Sequence, residues 1–162
     1  MDGEGCFYIN FRRTIRYERK NRPVYFHWDI GFAIVLRADD KNILEKIKCT
    51  LNCGRISISK NGQARYEVGD MADLTDKIVP FFERHPLRAK KQSDFILWEE
   101  ALKIFKRNQQ KSIVRSEKQI GFPKIKWSSK DLNSLVKIYE SMRGIKSKRK
   151  DWKWISEMTQ KR

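Results

Sequence analysis

Two alternating runs near the start of the chain constrain its fold more than any other feature. In Phe7-Tyr8-Ile9-Asn10-Phe11-Arg12 every second residue is apolar. Phe26, Trp28, Ile30, Phe32 and Ile34 repeat the pattern beyond a basic stretch, Arg16 to Arg22, and Pro23. Successive side chains of a strand point to opposite faces, so a period of two means an extended segment with one buried and one open face. Two such runs joined by a polar loop form a hairpin. Helical geometry, with its period of 3.6, could keep neither set on one side.

Downstream the period changes. Asp39 or Asp40 is placed to cap a helix with Ile43, Leu44, Ile47 and Leu51 on one side, stopped at Gly54. Ile56 and Ile58 then precede Asn61-Gly62, and Tyr66 and Val68 follow. Asn-Gly between alternating runs predicts a second hairpin with a type I′ turn, which needs positive φ at both central residues. Helical spacing returns at about 72–83, and again at about 90–107, where Phe95, Trp98, Leu102 and Phe105 share a stripe. Residues 108–128 read as a basic linker broken by Gly121 and Pro123. Ser128 or Ser129 then caps a helix to residue 143, carrying Leu132, Leu135, Tyr139 and Met142 and ending at Gly144. A basic tail with Trp152 and Trp154 completes the chain. This order predicts an α+β domain over 1–107, with a four-stranded antiparallel sheet and helices on one face, then a linker (108–128) and a C-terminal helix with its tail (129–162).

Charge narrows the partner. The chain carries 36 Lys+Arg against 20 Asp+Glu, a formal charge of +16, with 40% hydrophobic residues, so it is a folded, strongly basic protein. No run of 18 apolar residues and no signal-peptide pattern occurs, which favours nucleic acid over membrane as the polyanion. An odd cysteine count (Cys6, Cys49, Cys53) without a secretory signal fits a reducing compartment, the bacterial cytoplasm or an organellar matrix or stroma. Cys49 and Cys53 would be half of a zinc site needing both His27 and His85, and small half-buried residues describe them better.

The open sheet face would carry Tyr8, Asn10, Arg12, Tyr25, His27, Asp29, Arg55, Ser57, Ser59, Arg65 and Glu67, with Arg16 in the adjoining loop. An ordinary solvated face is the plain alternative, but Arg, Asn, Ser and His are also the side chains that read base edges and hold phosphates. At the head of the first strand stands Met1-Asp2-Gly3-Glu4-Gly5. Carboxylates are hard ligands suited to Mg²⁺, and beside a basic strand they suggest metal-assisted chemistry on a phosphodiester. A basic ribosome-associated protein would account for the charge but not for acids set between glycines.

Three stretches meet a known pattern. They are Asp2-Gly3-Glu4-Gly5; Phe32 to Asp40 followed by Ile43-Leu44-Glu45-Lys46-Ile47; and Ile78-Val79-Pro80-Phe81-Phe82-Glu83 with Pro86 to Lys91 and Asp94-Phe95. In this order and spacing they resemble the LAGLIDADG homing endonucleases of the single-motif, bacterial or organellar intron-encoded type, over about residues 1–107. The resemblance implies an αββαββα saddle lying in the DNA major groove. Most of the signature helix before Asp2 is missing from the pattern, and an extra C-terminal helix is added. It also implies site-specific cleavage of double-stranded DNA by a homodimer using Mg²⁺. Glu4 would bind the metal, Asp2 would close the helix junction, and Lys90, with Lys91 beside it, would be the basic residue at the reacting phosphate. Lysines are otherwise disfavoured at a positive helix N-terminus. Without the signature helix, a single saddle half is expected to bind DNA weakly. The competing expectation is a nuclease-inactive binding module of the same fold, an intron RNA maturase or a DNA-binding relic or regulator. If sheet and tail together neutralise about eight phosphates, log K for duplex binding falls with log salt at a slope of roughly −7, which a salt titration of binding measures.

Overall fold

A computed structural model describes residues 5–15, 17–18, 20–21, 24–116 and 127–143. The two alternating runs form strands β1 (Gly5–Ile15) and β2 (Val24–Arg37), paired antiparallel from Gly5 opposite Ile34 to Ile15 opposite Val24. A short 3₁₀ turn at Ala38–Asp40 leads into α1 (Lys41–Leu51). Strands β3 (Arg55–Ile58) and β4 (Gln63–Val68) form the second hairpin, and β4 pairs with β2, giving the order β1-β2-β4-β3. Then follow α2 (Met71–Asp73), a π-helical turn (Leu74–Ile78), α3 (Val79–Arg84), α4 (Lys90–Ser116) and α5 (Ser129–Arg143). The α+β architecture is the expected one.

The core lies between one sheet face and the helices. Phe7, Ile9 and Phe11 of β1, Trp28, Ile30, Phe32 and Ile34 of β2, and Ala64, Tyr66 and Val68 of β4 are all buried there. So are Phe95, Trp98, Leu102 and Phe105 of α4, the stripe expected from spacing. The helix α5 shares this core: Leu132, Leu135, Ile138 and Tyr139 belong to it, and the Tyr139 ring meets Trp28 edge-on at 5.6 Å. Its N-terminus is capped by Ser128, whose Oγ accepts the Asp131 N–H at 3.1 Å. Asp131 is itself buried and accepts from Arg107 and from Asn108 Nδ2, which ties α5 to α4. Burial alone would raise the Asp131 carboxyl; the hydrogen bonds from Asn108, Ser128 and Arg107 outweigh it and lower it.

Several local expectations need correction. At Asn61-Gly62 only Gly62 has positive φ (71°), so the turn is not type I′. Gly62 N–H bonds Ser59 O at 3.2 Å and Ser59 N–H bonds Gln63 O at 2.8 Å, the pattern of a type I turn closed by a left-handed glycine. Asp40 occupies the N-cap of α1 but its side chain makes no cap hydrogen bond, whereas Asp70 caps α2 by accepting from Ala72 N and Asp73 N. Ile43 is largely exposed, so the buried side of α1 is Leu44 and Leu51, and the helix ends on left-handed Asn52 (φ 49°) ahead of Gly54. Cys49 is exposed and Cys53 buried; neither is half-buried. The helix α4 runs to Ser116, well into the stretch read as linker. The helix expected at 72–83 is widened at Leu74–Ile78, where Val79 N–H bonds Leu74 O. The widening falls just before Pro80, which has no N–H to continue the ladder and whose ring crowds the carbonyl four residues back.

Gly31 is the tightest point of the sheet. A Cβ there would stand 2.4 Å from Tyr8 Oη and 2.7 Å from the Val68 carbonyl oxygen. The tyrosine could swing away, but the backbone carbonyl belongs to the β4 ladder and cannot. Gly31→Ala is expected to cost about 1–3 kcal/mol in urea unfolding, and adding Tyr8→Ser should restore only part of it.

Candidate nucleic-acid interface

The register decides which side chains share the open face. Tyr8 opposes Gly31, Asn10 opposes Asp29 and Arg12 opposes His27 across β1 and β2. Glu67 lies between Ala33 and Arg55, and Arg65 between Val35 and Ser57, across the other three strands. Asn10, Arg12, His27, Arg55 and Ser57 are exposed, while Tyr8, Asp29, Arg65 and Glu67 are partly covered. Ser59 stands just beyond β3 in the turn, where its Oγ accepts from Gln63 N. Tyr25 lies in β2 opposite Thr14, its side chain outside those described. Arg16, Asp2 and Glu4 lie outside the described residues.

Small residues on β2 let the other strands meet. With no side chain at Gly31 and only a methyl at Ala33, the Tyr8 ring lies over β2 and its hydroxyl donates to Glu67 Oε1 at 2.8 Å. Arg65 Nη2 donates to the same oxygen at 2.9 Å, and Arg55 Nη2 donates to Oε2 at 3.1 Å. The Arg65 guanidinium also stands over the Tyr8 ring, 5.6 Å from its centroid. Further along the hairpin Arg12 is ion-paired with Asp29.

The sequence placed these four side chains on one face but did not show that they bond to one another, and the network they form rearranges the titration of its members. Burial would raise the Glu67 carboxyl, but the hydrogen bonds from Tyr8, Arg65 and Arg55 and the charge of Arg65 overcome it and hold Glu67 at about 2. Burial and then the Glu67 hydrogen bond push the Tyr8 hydroxyl up to about 12. The electrostatic result is a face that is close to balanced, because Asp29 and Glu67 offset Arg12, Arg55 and Arg65. Most of the positive charge lies elsewhere: residues 103–162 hold 18 Lys and Arg against 5 Asp and Glu.

At the end of β4 the sheet is notched. β4 pairs with β2 only from Phe32 onward, so the β1–β2 hairpin overhangs a cavity of about 610 Å³. Its wall runs from Tyr8, Asp29, Arg55 and Glu67 on the open face down to Trp28, Met71 and Phe105.

The two lysines differ in placement. Lys90 is exposed as the first residue of α4, and Lys91 is half-buried. One turn beyond Lys91, Phe95 packs on Phe7 of β1 with ring centroids 5.3 Å apart. The helix start therefore lies on the same side of the core as the entry to β1, the residue after Glu4 being Gly5. Among the described residues no group of three or more His, Cys, Asp or Glu could hold a metal ion. Cys53 bonds Tyr66 in the core and Cys49 is on the surface, so these cysteines are not a metal pair.

The family model described as LAGLIDADG endonuclease matches residues 1–102. The chain belongs to the LAGLIDADG endonuclease family. Two fungal relatives are similar to it. The probable intron-encoded DNA endonuclease 1 of Mycosarcoma maydis is 28% identical over 92 residues, covering 57% of this chain and 31% of that protein. The probable intron-encoded endonuclease 3 of Neurospora crassa is 29% identical over 106 residues, covering 64% and 19%. The chain thus spans less than a third of the length of either. Among solved structures, the homing endonuclease I-TnaI superposes with a TM-score of 0.65 at 23% identity, covering 97% of this chain and 90% of that one. I-SmaMI bound to an uncleaved DNA target in the presence of calcium ions superposes at 0.67 and 21%, covering 90% and 43%. This LAGLIDADG chain therefore has the sheet and helix arrangement of those enzymes. None of its described helices is long and apolar enough to cross a membrane.

The Glu67 tie gives this face an acid-sensitive signature. A folded-state value of about 2 against an ordinary 4.5 means that the stability it contributes is complete above about pH 4.5 and is lost as pH falls toward 2. The loss is expected to be about 1–3 kcal/mol, discounted for solvent screening around the exposed Arg55. Urea unfolding from pH 6 down to pH 2.5 should show it, and Glu67→Gln should flatten that part of the profile.

Proposed function

We propose that this chain is the DNA-recognition and cleavage unit of a site-specific double-strand DNA endonuclease. The observation that carries the reading is the strand register. It gathers Tyr8, Asn10, Arg12, His27, Arg55, Ser57 and Arg65 on one sheet face while the helices and the whole core occupy the other. A two-stranded ribbon fits the major groove of B-DNA, whose base edges present a distinct donor and acceptor pattern for each base pair. Family membership and relatives named as intron-encoded endonucleases support the same activity.

In this reading the work is divided among named groups. The β1–β2 hairpin and β3–β4 hold the duplex and set its register. Glu4 is the metal ligand: its carboxylate oxygens suit a hard divalent ion such as Mg²⁺, and it stands immediately before the first residue of β1. A divalent ion at that carboxylate, when bound, polarises the scissile phosphate. Lys90, with Lys91 beside it at the start of α4, neutralises charge that develops on the phosphate. Asp2 closes the junction between two subunits, and a homodimer brings one Glu4 to each strand of the duplex. Residues 103–162 add backbone contact, since their net charge far exceeds that of the sheet face.

The test uses the chain with a pool of randomised duplexes. Sequence-selective binding in EDTA and cutting of the bound duplexes on addition of Mg²⁺ are expected. Glu4→Gln should bind the same sequences and cut none. Cutting by Glu4→Gln sinks the metal-ligand assignment. Selective binding by the unaltered chain without cutting under any divalent metal would select the nuclease-inactive module, an intron RNA maturase or a DNA-binding relic, in its place.

A further inference from the structure

We infer that Glu67 is a positioning residue for base reading, which fixes Arg55 so that the outer edge of its guanidinium addresses one guanine in the major groove. This rests on the reading of the sheet face as the DNA interface and names what one part of it recognises.

The geometry separates the four members of the network by role. Glu67 is the hub: its two oxygens accept from three donors on three strands, Tyr8 on β1, Arg65 on β4 and Arg55 on β3. Its side chain is only 20% exposed. With both oxygens engaged and the carboxylate largely covered, Glu67 is poorly placed to accept from a cytosine amino group itself. Arg65 is inner, with a 41% exposed side chain standing over the Tyr8 ring. Arg55 is outer: its side chain is 81% exposed although its Nη2 is tied to Glu67. A guanidinium has five donors in a rigid plane, so the bond from Nη2 to Glu67 restrains where the group lies while its other donors stay available on an exposed side chain. Guanine offers the matching pair of acceptors, O6 and N7, on its major-groove edge.

The same hub carries an electrostatic consequence. Glu67 faces the groove as an anion, so it weakens non-specific attraction to phosphates while it sharpens the reading of one base. A residue kept only as a strut between strands would have no reason to favour one base at one position. The two roles therefore differ in what their removal does to sequence preference.

The test compares the full chain, Glu67→Gln and Arg55→Lys, each used to enrich bound duplexes from a randomised pool in EDTA, with anisotropy titrations on the sequences recovered. The expected result is one position where the unaltered chain prefers guanine about 10- to 100-fold. Arg55→Lys, which keeps the charge but not the planar fork, should reduce that preference to about threefold or less. Glu67→Gln should reduce it at that same position, leave the other positions as they were, and bind arbitrary duplex as tightly as the unaltered chain or more so. Retention of the guanine preference by Glu67→Gln overturns the inference, as does a uniform loss at every position, which is the mark of a strut. If the unaltered chain enriches no sequence at all, the interface reading itself falls and takes this inference with it. That outcome is distinct because it appears before any substitution.

Discussion

Phe7 holds the molecule together. Its ring lies 5.2 Å from Phe32 on the neighbouring strand, 5.1 Å from Phe82 of α3, and 5.3 and 5.1 Å from Phe95 and Trp98 of α4. One side chain of β1 thus joins the sheet to two helices that arrive much later in the chain. Aromatic pairs at such separations add to their area burial, and the four contacts leave β1 no alternative register: a slip of one residue would place Tyr8 in the core and Phe7 in water. The parity of the whole sheet follows from that contact. Once Phe7 points inward, Tyr8, Asn10 and Arg12 must point outward, and pairing carries the same parity to β2, β4 and β3.

The open face that results is less positive than the chain's +16 charge suggests. Its arginines are each partnered by an acid, Arg12 by Asp29, and Arg55 and Arg65 by Glu67. The excess lies chiefly in the last part of the sequence, beyond the stretch that matches the family. This suits two separate demands of a duplex-binding protein. Phosphate attraction depends on net charge and is indifferent to sequence, whereas base reading depends on side chains held in fixed directions. The sheet face supplies the second with little of the first.

The strands, their facing and the stripe on α4 were legible in the sequence because burial imposes a period that side-chain chemistry records directly. Local details were less so. Asn61-Gly62 predicted a type I′ turn, but the connection between the strands is four residues long, Ser59 to Gly62, and its hydrogen bonds require only Gly62 to be left-handed. The polar, basic composition after residue 107 suggested a linker, yet the helix α4 continues to Ser116. Buried Asn108, bonded to Ile104 O and Asp131, ties this stretch to α5. Cys49 and Cys53 lie four apart but end on opposite sides of a helix terminus, one in water and one beneath Tyr66.

The sequence by itself determined the alternation of the strands, the order of the elements and hence the family of the fold, together with the identity of the side chains on the open face. These are local properties, written as periods of two and of 3.6 residues. Only the tertiary structure decided that Tyr8, Glu67, Arg65 and Arg55 act as one group. Tyr8 and Glu67 are 59 residues apart in the chain. They meet because Gly31 leaves the Tyr8 ring room to lie across the intervening strand, and no periodicity along one strand records which residue of another it will reach.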